Sequence, residues 1–297
     1  MSYQVAALGA AFSWAIGGLI AAGPTAALGG PRFTRLRMYW VAFALVVVAT
    51  AIGGWDTLGS RELILLGASG AVGLALGDVA LFTAFSRLGP RRTGILFAAN
   101  APMAAIFSAA IFGERFSAPA LFGSVLVMAG VTLAIAFGTR SGQTHHWEEI
   151  KGSLWVGIGF GLLGAAGQAG GVLLADPAFD ADLDPWAAAA VRAVVGLLAL
   201  VALRGYFEKR ARMPHPGRIG WKMWGIILVS GTVAMVIGKT LVLIALSDGD
   251  PGIVSVLVSV SPVIQLPLIW LFTRERPASG AWVGAVLASV GTAFIVG

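Results

Sequence analysis

Ten long apolar stretches follow one another along this chain and leave few folds open to it. A helix that crosses the hydrocarbon core of a bilayer needs about 20 mostly apolar residues, which is the typical length of these stretches. Turn-forming Gly-Pro and Asp-Pro pairs separate several of them. We therefore predict an all-α membrane protein with ten transmembrane helices, at residues 3–23, 34–54, 63–86, 91–113, 117–138, 152–174, 185–204, 219–246, 250–273 and 278–296.

The composition agrees with lipid as the main solvent. Hydrophobic residues make up 58% of the chain and charged residues 11%, whereas soluble domains carry about 25% charged residues. Because cysteine is absent, disulfides and thiolate-bound metals are excluded. His145-His146 beside Glu148-Glu149 could hold a metal, but adjacent histidines in a solvated loop are usually inert. We predict no metal, no cofactor and no nucleic-acid partner.

The basic residues predict how the chain lies in the membrane. Sixteen of the 20 Lys and Arg residues fall on the side opposite Met1, two (Arg61 and Arg115) fall on the Met1 side, and two (Arg192 and Lys239) lie inside helices. Cytoplasmic loops are the ones enriched in basic residues. We therefore expect both termini on the external side of a bacterial-type cytoplasmic (inner) membrane.

A sequence repeat relates residues 77–132 to residues 238–293 at an offset of 161. A fixed offset over so many residues indicates an internal duplication. Each unit contains five helices, an odd number, so the halves must be inverted, as in many secondary transporters. We predict one five-helix repeat at 1–144 and another at 145–297. The matching positions include Pro90/Pro251, Glu114-Arg115/Glu275-Arg276, Gly123/Gly284 and Gly130/Gly291.

Part of this repeat resembles a known family. Pro102, then Phe112-Gly113-Glu114-Arg115, then Gly123 and Ala129-Gly130-Val131 look like the second half of an EamA domain, which belongs to the drug/metabolite transporter superfamily. The second copy departs from the pattern, because Arg274 stands where glycine is usual before the Glu-Arg pair. The resemblance implies a ten-helix carrier of amino acids, metabolites or drugs, with amino-acid exporters as the nearest type.

Asp78 and Lys239 are ionisable residues deep within apolar stretches, at equivalent positions of the two repeats. A charge at that depth costs several kcal/mol unless it is paired or hydrated, and it usually marks a functional site. A pseudo-two-fold axis would bring the two side chains close together. They could hold a zwitterion, with Lys239 on a carboxylate and Asp78 on an ammonium, or form a permanent structural ion pair. Asp78 could also carry a proton during transport.

Other candidate substrate-binding residues are polar or aromatic side chains in the same stretches. Polar residues near helix prolines could bind substrate, or could only restore the backbone hydrogen bonding that proline removes. The aromatic residues could form apolar walls for a substrate or could face lipid. The candidates are Asn100, Gln168, Ser259, Gln265, Trp14, Phe82 and Phe97.

Arg37 and Arg192 each lie near the start of the second helix of their half. Long basic side chains near helix ends can extend to the membrane interface while their stems stay in lipid. We expect Arg37 to do so. We expect Arg192, which lies deeper, to pair with the acidic loop at 176–184.

These features favour a secondary transporter that exports small metabolites, most of all amino acids, by alternating access to a central cavity. A multidrug or other metabolite exporter is the nearest alternative, and a membrane enzyme or a structural subunit is a further one. The sequence contains no Walker motif and no catalytic triad pattern, so we predict that the chain is not an enzyme. Because both halves of a cavity lie in one chain, a monomer could suffice. The expected partners are a small-molecule substrate, the lipid bilayer and, if Asp78 is a coupling site, protons.

Overall fold

The computed structural model describes residues 2–112, 117–137, 150–178, 183–206, 219–248, 257–258 and 260–296. Every regular element within these ranges is helical. Several features of the sequence lie wholly or partly outside the described residues: the candidate Ser259, the pair Glu114-Arg115, His145-His146 with Glu148-Glu149, Pro251, and residues 179–182 of the acidic loop.

Twelve α-helices form the described chain, and two of the junctions between them are π-helical. One π-helical segment, Gly70–Gly77, joins α3 to α4, and the other, Thr232–Ile237, joins α9 to α10. The helices are α1 (Tyr3–Leu28), α2 (Gly30–Ile52), α3 (Ser60–Ser69), α4 (Asp78–Phe97), α5 (Asn100–Phe112), α6 (Ala118–Phe137), α7 (Leu154–Ala175), α8 (Pro185–Ala202), α9 (Trp221–Gly231), α10 (Gly238–Asp248), α11 (Ser261–Thr273) and α12 (Ser279–Val296).

Seven helical runs within the described residues are long and apolar enough to cross a membrane. Shorter apolar helices occupy Asn100–Ile111, Ser261–Thr273 and Ser279–Ile295. Large hydrophobic side chains cover the outside, as at Phe43 (61% exposed), Ile64 (71%) and Leu271 (74%). A water-soluble protein rarely leaves such surfaces open. The length of the helices and their apolar exteriors are those of an integral membrane protein.

Glycine and proline end the helices where the sequence predicts breaks. Gly53 caps α2 in the left-handed conformation, at φ 74° and ψ 23°, which costs little without a Cβ atom. Gly89 interrupts α4 at φ 82° and ψ 168°, immediately before Pro90. Asp184 caps α8, because its carboxylate accepts hydrogen bonds from the backbone N–H groups of Trp186 and Ala187. α1 extends to Leu28, beyond the predicted end at residue 23.

The helix bounds follow the sequence repeat. α3 and α9 begin at Ser60 and Trp221, α5 and α11 begin at Asn100 and Ser261, and α6 and α12 begin at Ala118 and Ser279, each pair at the offset of 161. The two π-helical segments also fall at equivalent places, directly before Asp78 and one residue before Lys239. The chain therefore has the two-repeat architecture that its sequence indicates.

The closing helices of the two repeats, α6 and α12, pack against each other over their whole length. Gly123 lies against the backbone of Gly291, and Gly130 lies against the backbone of Gly284, where an added Cβ atom on either partner would clash. The earlier glycine of α6 therefore faces the later glycine of α12, and the later one of α6 faces the earlier one of α12. The two helices run antiparallel. Small residues permit this close backbone approach, which drives helix association in lipid.

The remaining contacts repeat this reciprocal pattern. α1 of the first half packs against α10, and α7 of the second half packs against α4 and the π-helical segment Gly70–Gly77. The second helices of the two halves, α2 and α8, pack against each other. One hydrophobic core cluster, with Met38, Leu74, Ala193 and Met235 among its members, lies at this crossing. The crossing of α2 and α8 with the two π-helical segments is therefore the centre of the molecule.

Candidate functional site

Asp78 begins α4, immediately after the π-helical segment, and its side chain is buried near the crossing of α2 and α8. Its Oδ2 accepts a hydrogen bond from Arg37 Nη2 at 3.0 Å, in an ion pair that joins α2 to α4. Of the two alternatives for Asp78 and Lys239, a direct ion pair between them is not seen in the described residues, where Asp78 is paired with Arg37 and Lys239 interacts with it only electrostatically. The geometry explains this result, because α2 and α4 belong to the same half and place the two side chains face to face.

Arg37 was predicted to extend to the membrane interface. It is instead buried, with 3% of its surface exposed. It is the eighth residue of α2, which places it about 10 Å along the helix at 1.5 Å per residue. Its guanidinium carbon lies 4.3 Å from the centroid of the Phe82 ring and 5.3 Å from that of Phe33. The negative faces of aromatic rings attract a cation. Phe82 therefore helps to hold Arg37 on Asp78 rather than facing lipid.

Gln168 of α7 completes the environment of Asp78. Its Nε2 donates to Asp78 Oδ1 at 2.7 Å and to the backbone oxygen of Gly73 at 2.9 Å. α7 can approach this closely because Gly167 packs on Gly77 and Gly171 packs on Gly73, backbone against backbone. Both carboxylate oxygens of Asp78 thus have a donor, one from each half of the molecule.

Arg192 of α8 and Lys239 of α10 lie on the other side of the same crossing. Both line a small cavity of about 20 Å³, together with Val41, Leu45, Leu74, Ala189, Ala193 and Met235. A cavity of this size holds about one water molecule. Arg192 Nε is buried and has no hydrogen-bond partner. Arg192 points to this interior rather than toward the described acidic residues Asp176 and Asp184, of which Asp184 caps α8.

The two arginines occupy matching surroundings. Arg37 packs its Cγ on Gly231, at the start of the second π-helical segment, and the backbone of Arg192 packs on Gly70, at the start of the first. Gly70 and Gly231 differ by the repeat offset of 161. The indole of Trp14 in α1 packs on Gly238, whereas at the equivalent Gly77 the contact comes from the backbone of Gly167 and Gln168 in α7. The site therefore consists of two groups of three residues at corresponding places in the repeats.

These two groups differ in chemistry. The first, Asp78 with Arg37 and Gln168, combines an anion, a cation and an amide, and its members are bonded to one another. The second, Lys239 with Arg192 and Trp14, combines two cations and an indole. Lys239 is repelled by Arg192 and by Arg37 and is attracted by Asp78. The described cluster thus contains three cations and one anion, in an environment where unpaired charge is costly.

The other predicted site residues have other neighbours. Gln265 is buried and contacts Gly18 of α1 and Gly94 of α4. Asn100 begins α5 and is partly buried, as is Phe97, and neither hydrogen-bonds nor stacks on the four charged side chains described here. Sequence reasoning missed Arg37 as the partner of Asp78. Arg37 and Arg192 occupy equivalent places in the two repeats, and this was the signal that could have placed Arg37 beside Asp78.

A helical membrane protein with two repeats and a buried charge cluster at their crossing has the organisation of a membrane transporter. The model of the EamA-like transporter family matches residues 1–136 and 155–297, which is nearly the whole chain. The protein belongs to this family, in agreement with the resemblance seen in its sequence.

Two further comparisons bear on the fold. A search of curated protein sequences finds no match. Among solved structures, the chain is similar to one described as "Crystal structure of protein", with a TM-score of 0.64 and 18% sequence identity. The alignment covers 98% of this chain and 95% of that one. At this identity, the similarity shows that the two chains share a fold and says nothing of their substrates.

Proposed function

We propose that this protein is a secondary transporter that exports small metabolites bearing a carboxylate, with amino acids as the favoured class. The observation that carries this proposal is the buried cluster of Arg37, Asp78, Arg192 and Lys239, which lies where elements of both repeats cross. Ionisable side chains inside a membrane protein typically line substrate or ion pathways.

The proposed architecture has ten membrane spans in two inverted five-helix repeats. The antiparallel packing of α6 on α12 and the reciprocal packing of Arg37 and Arg192 on equivalent glycines support the inversion. Gly89 supports a division of the continuous helical run Ser60–Phe97 into two spans, because its backbone is not helical. The basic side of the chain would face the cytoplasm of a bacterial-type cell and both termini would be external.

Transport would proceed by movement of one repeat relative to the other around the charged crossing. The cavity beside Lys239 and Arg192 has room for about one water molecule, so the proposed cycle treats this arrangement as a closed state. A substrate can be bound only when the crossing opens toward one side. Protonation of Asp78 would weaken its ion pair with Arg37 and is the proposed step for coupling transport to a proton gradient.

The test uses purified protein in liposomes loaded with radiolabelled amino acids. We expect efflux from liposomes with the parent protein and at least a tenfold lower rate with Lys239→Met. Gly225→Ala is the control, because Gly225 is exposed and has no atom within 4 Å of an added Cβ. A pH gradient that leaves the rate unchanged would exclude proton coupling.

The alternatives predict other results in the same assay. Efflux of lipophilic cations or dyes, without efflux of any amino acid, would favour a multidrug exporter. If no solute of any class moved, a structural or enzymatic role would gain support and the transporter proposal would be overturned.

A further inference from the structure

The second group of the site, Lys239 with Arg192 and Trp14, has one chemical property throughout. A lysine ammonium has three hydrogen-bond donors, an arginine guanidinium has five and an indole has one, and none of the three groups is an acceptor. Two of these residues line the same cavity, and Trp14 packs on Gly238, the residue beside Lys239. A group that only donates hydrogen bonds is suited to an oxyanion.

The only carboxylate among the four charged side chains described here is already engaged. Asp78 is bound by Arg37 at Oδ2 and by Gln168 at Oδ1. An ammonium group on the substrate would have to displace one of these donors, and it would meet the repulsion of Lys239 and two arginines. A carboxylate on the substrate would meet no such barrier, because it would lie between Lys239 and Arg192 and would offset their mutual repulsion.

We propose that Lys239 and Arg192 bind the carboxylate of a substrate with net negative charge, so that the protein prefers small organic anions to zwitterions. The substrate class is that of 2-oxo and 2-hydroxy acids and short dicarboxylates. This inference rests on the proposed transport function and, among metabolites that bear a carboxylate, replaces the preference for amino acids with a preference for anions. Arginine would bind the carboxylate through two parallel N–H groups, lysine would add a point charge, and the indole N–H of Trp14 would complete the donors.

The difference in charge between equivalent positions of the two repeats supports the assignment of Lys239 and Arg192 to carboxylate binding. The first half holds its own anion at the position of Asp78, and its arginine is neutralised. The second half has a lysine at the equivalent position, and its arginine has no carboxylate partner among the described side chains. A bound carboxylate would give the second half what Asp78 gives the first, an anion beside a buried arginine.

The experiment compares substrates that share a carbon skeleton. Pyruvate and alanine differ in whether C2 carries an oxo group or an ammonium, and lactate carries a hydroxyl there. Uptake of each radiolabelled compound is measured in proteoliposomes under exchange conditions, with unlabelled compound inside. We expect pyruvate and lactate to be exchanged at least tenfold faster than alanine by the parent protein.

Matched variants separate charge from packing. Lys239→Met should lower pyruvate exchange at least tenfold, and Lys239→Arg should retain much of it because the charge is kept. Lys222→Met is the control, because it removes an exposed lysine from the same helical run. Equal effects of Lys239→Met and Lys222→Met in folded protein would overturn the inference. Thermal melts of each variant show whether the protein is folded.

The outcomes also distinguish this inference from the transport function on which it rests. If alanine is exchanged and pyruvate is not, the protein is a transporter and the preference for anions is wrong. If no organic acid and no amino acid is exchanged, the transport proposal itself fails.

Discussion

Arg37 Nη2 lies 3.0 Å from Asp78 Oδ2, whereas Arg192, at the equivalent position of the second repeat, lies beside a lysine. The backbone follows the duplication closely, down to π-helical segments at equivalent places. The charges do not. One half of the crossing is neutral and internally bonded, and the other half carries two cations that repel each other. We infer that the first half holds the crossing together until Asp78 is protonated and that the second half binds substrate.

The Arg37–Asp78 pair should matter most for stability. Asp78→Asn removes the anion and leaves Arg37 buried without a counter-charge, which typically costs about 3–5 kcal/mol. We expect a clear fall in the melting temperature of the purified protein. Arg37→Met combined with Asp78→Asn should recover much of the loss, because the unpaired charge is then removed. A double variant less stable than Asp78→Asn alone would contradict this assignment.

Lys239→Asp should preserve stability but abolish most of the substrate exchange. The substitution provides Arg192 with a carboxylate partner in the second half, as Asp78 provides one for Arg37 in the first. We expect a melting temperature equal to or above that of the parent protein, and at least a tenfold loss of substrate exchange in proteoliposomes. Retained exchange would show that the second half is not the binding site.

Gln168 should contribute to stability through Asp78. Gln168→Met keeps the length of the side chain but removes the donors to Asp78 Oδ1 and to the backbone oxygen of Gly73. Hydrogen bonds to charged groups contribute about 1.5–3 kcal/mol each, so we expect a fall in melting temperature smaller than that of Asp78→Asn. A matched comparison is Gln168→Glu, which places a second carboxylate against Asp78 and should be worse than Gln168→Met.

Most of the fold could be predicted from the sequence, because long apolar stretches and turn residues are local signals. The helix starts at Ser60 and Trp221 follow the sequence repeat, and Gly89 breaks its helix where Gly-Pro was expected. The partner of Asp78 could not be predicted, because it depends on how two helices rotate about their axes. A repeat relates Asp78 to Lys239 by symmetry, but symmetry-related side chains need not touch each other.

The orientation in the membrane can be tested because the native chain has no cysteine. Single cysteines at Ser2 and at Gly205 fall on opposite predicted sides, and both positions are exposed. In intact cells, a membrane-impermeant maleimide should label Ser2→Cys at once and should label Gly205→Cys only after the membrane is permeabilised. The reverse pattern would place the termini in the cytoplasm and the basic loops on the external side.

The glycines between α6 and α12 should be intolerant of added volume. A Cβ atom on Gly130 would lie 2.5 Å from Gly284 O and 2.8 Å from Ala288 N. Real Cβ atoms are not found so close to backbone, so Gly130→Ala must push the two helices apart. Because close approach of small residues drives association in lipid, we expect a lower melting temperature for Gly130→Ala.

Gly225→Ala provides the contrast, since an added Cβ atom there has nothing within 4 Å. Alanine is favoured over glycine within a helix by about 0.5–1 kcal/mol, so this variant should be as stable as the parent protein or slightly more stable. If Gly130→Ala and Gly225→Ala melted at the same temperature, the close approach of α6 and α12 at Gly130 would not contribute to stability, and this account of how the two repeats are joined would be wrong.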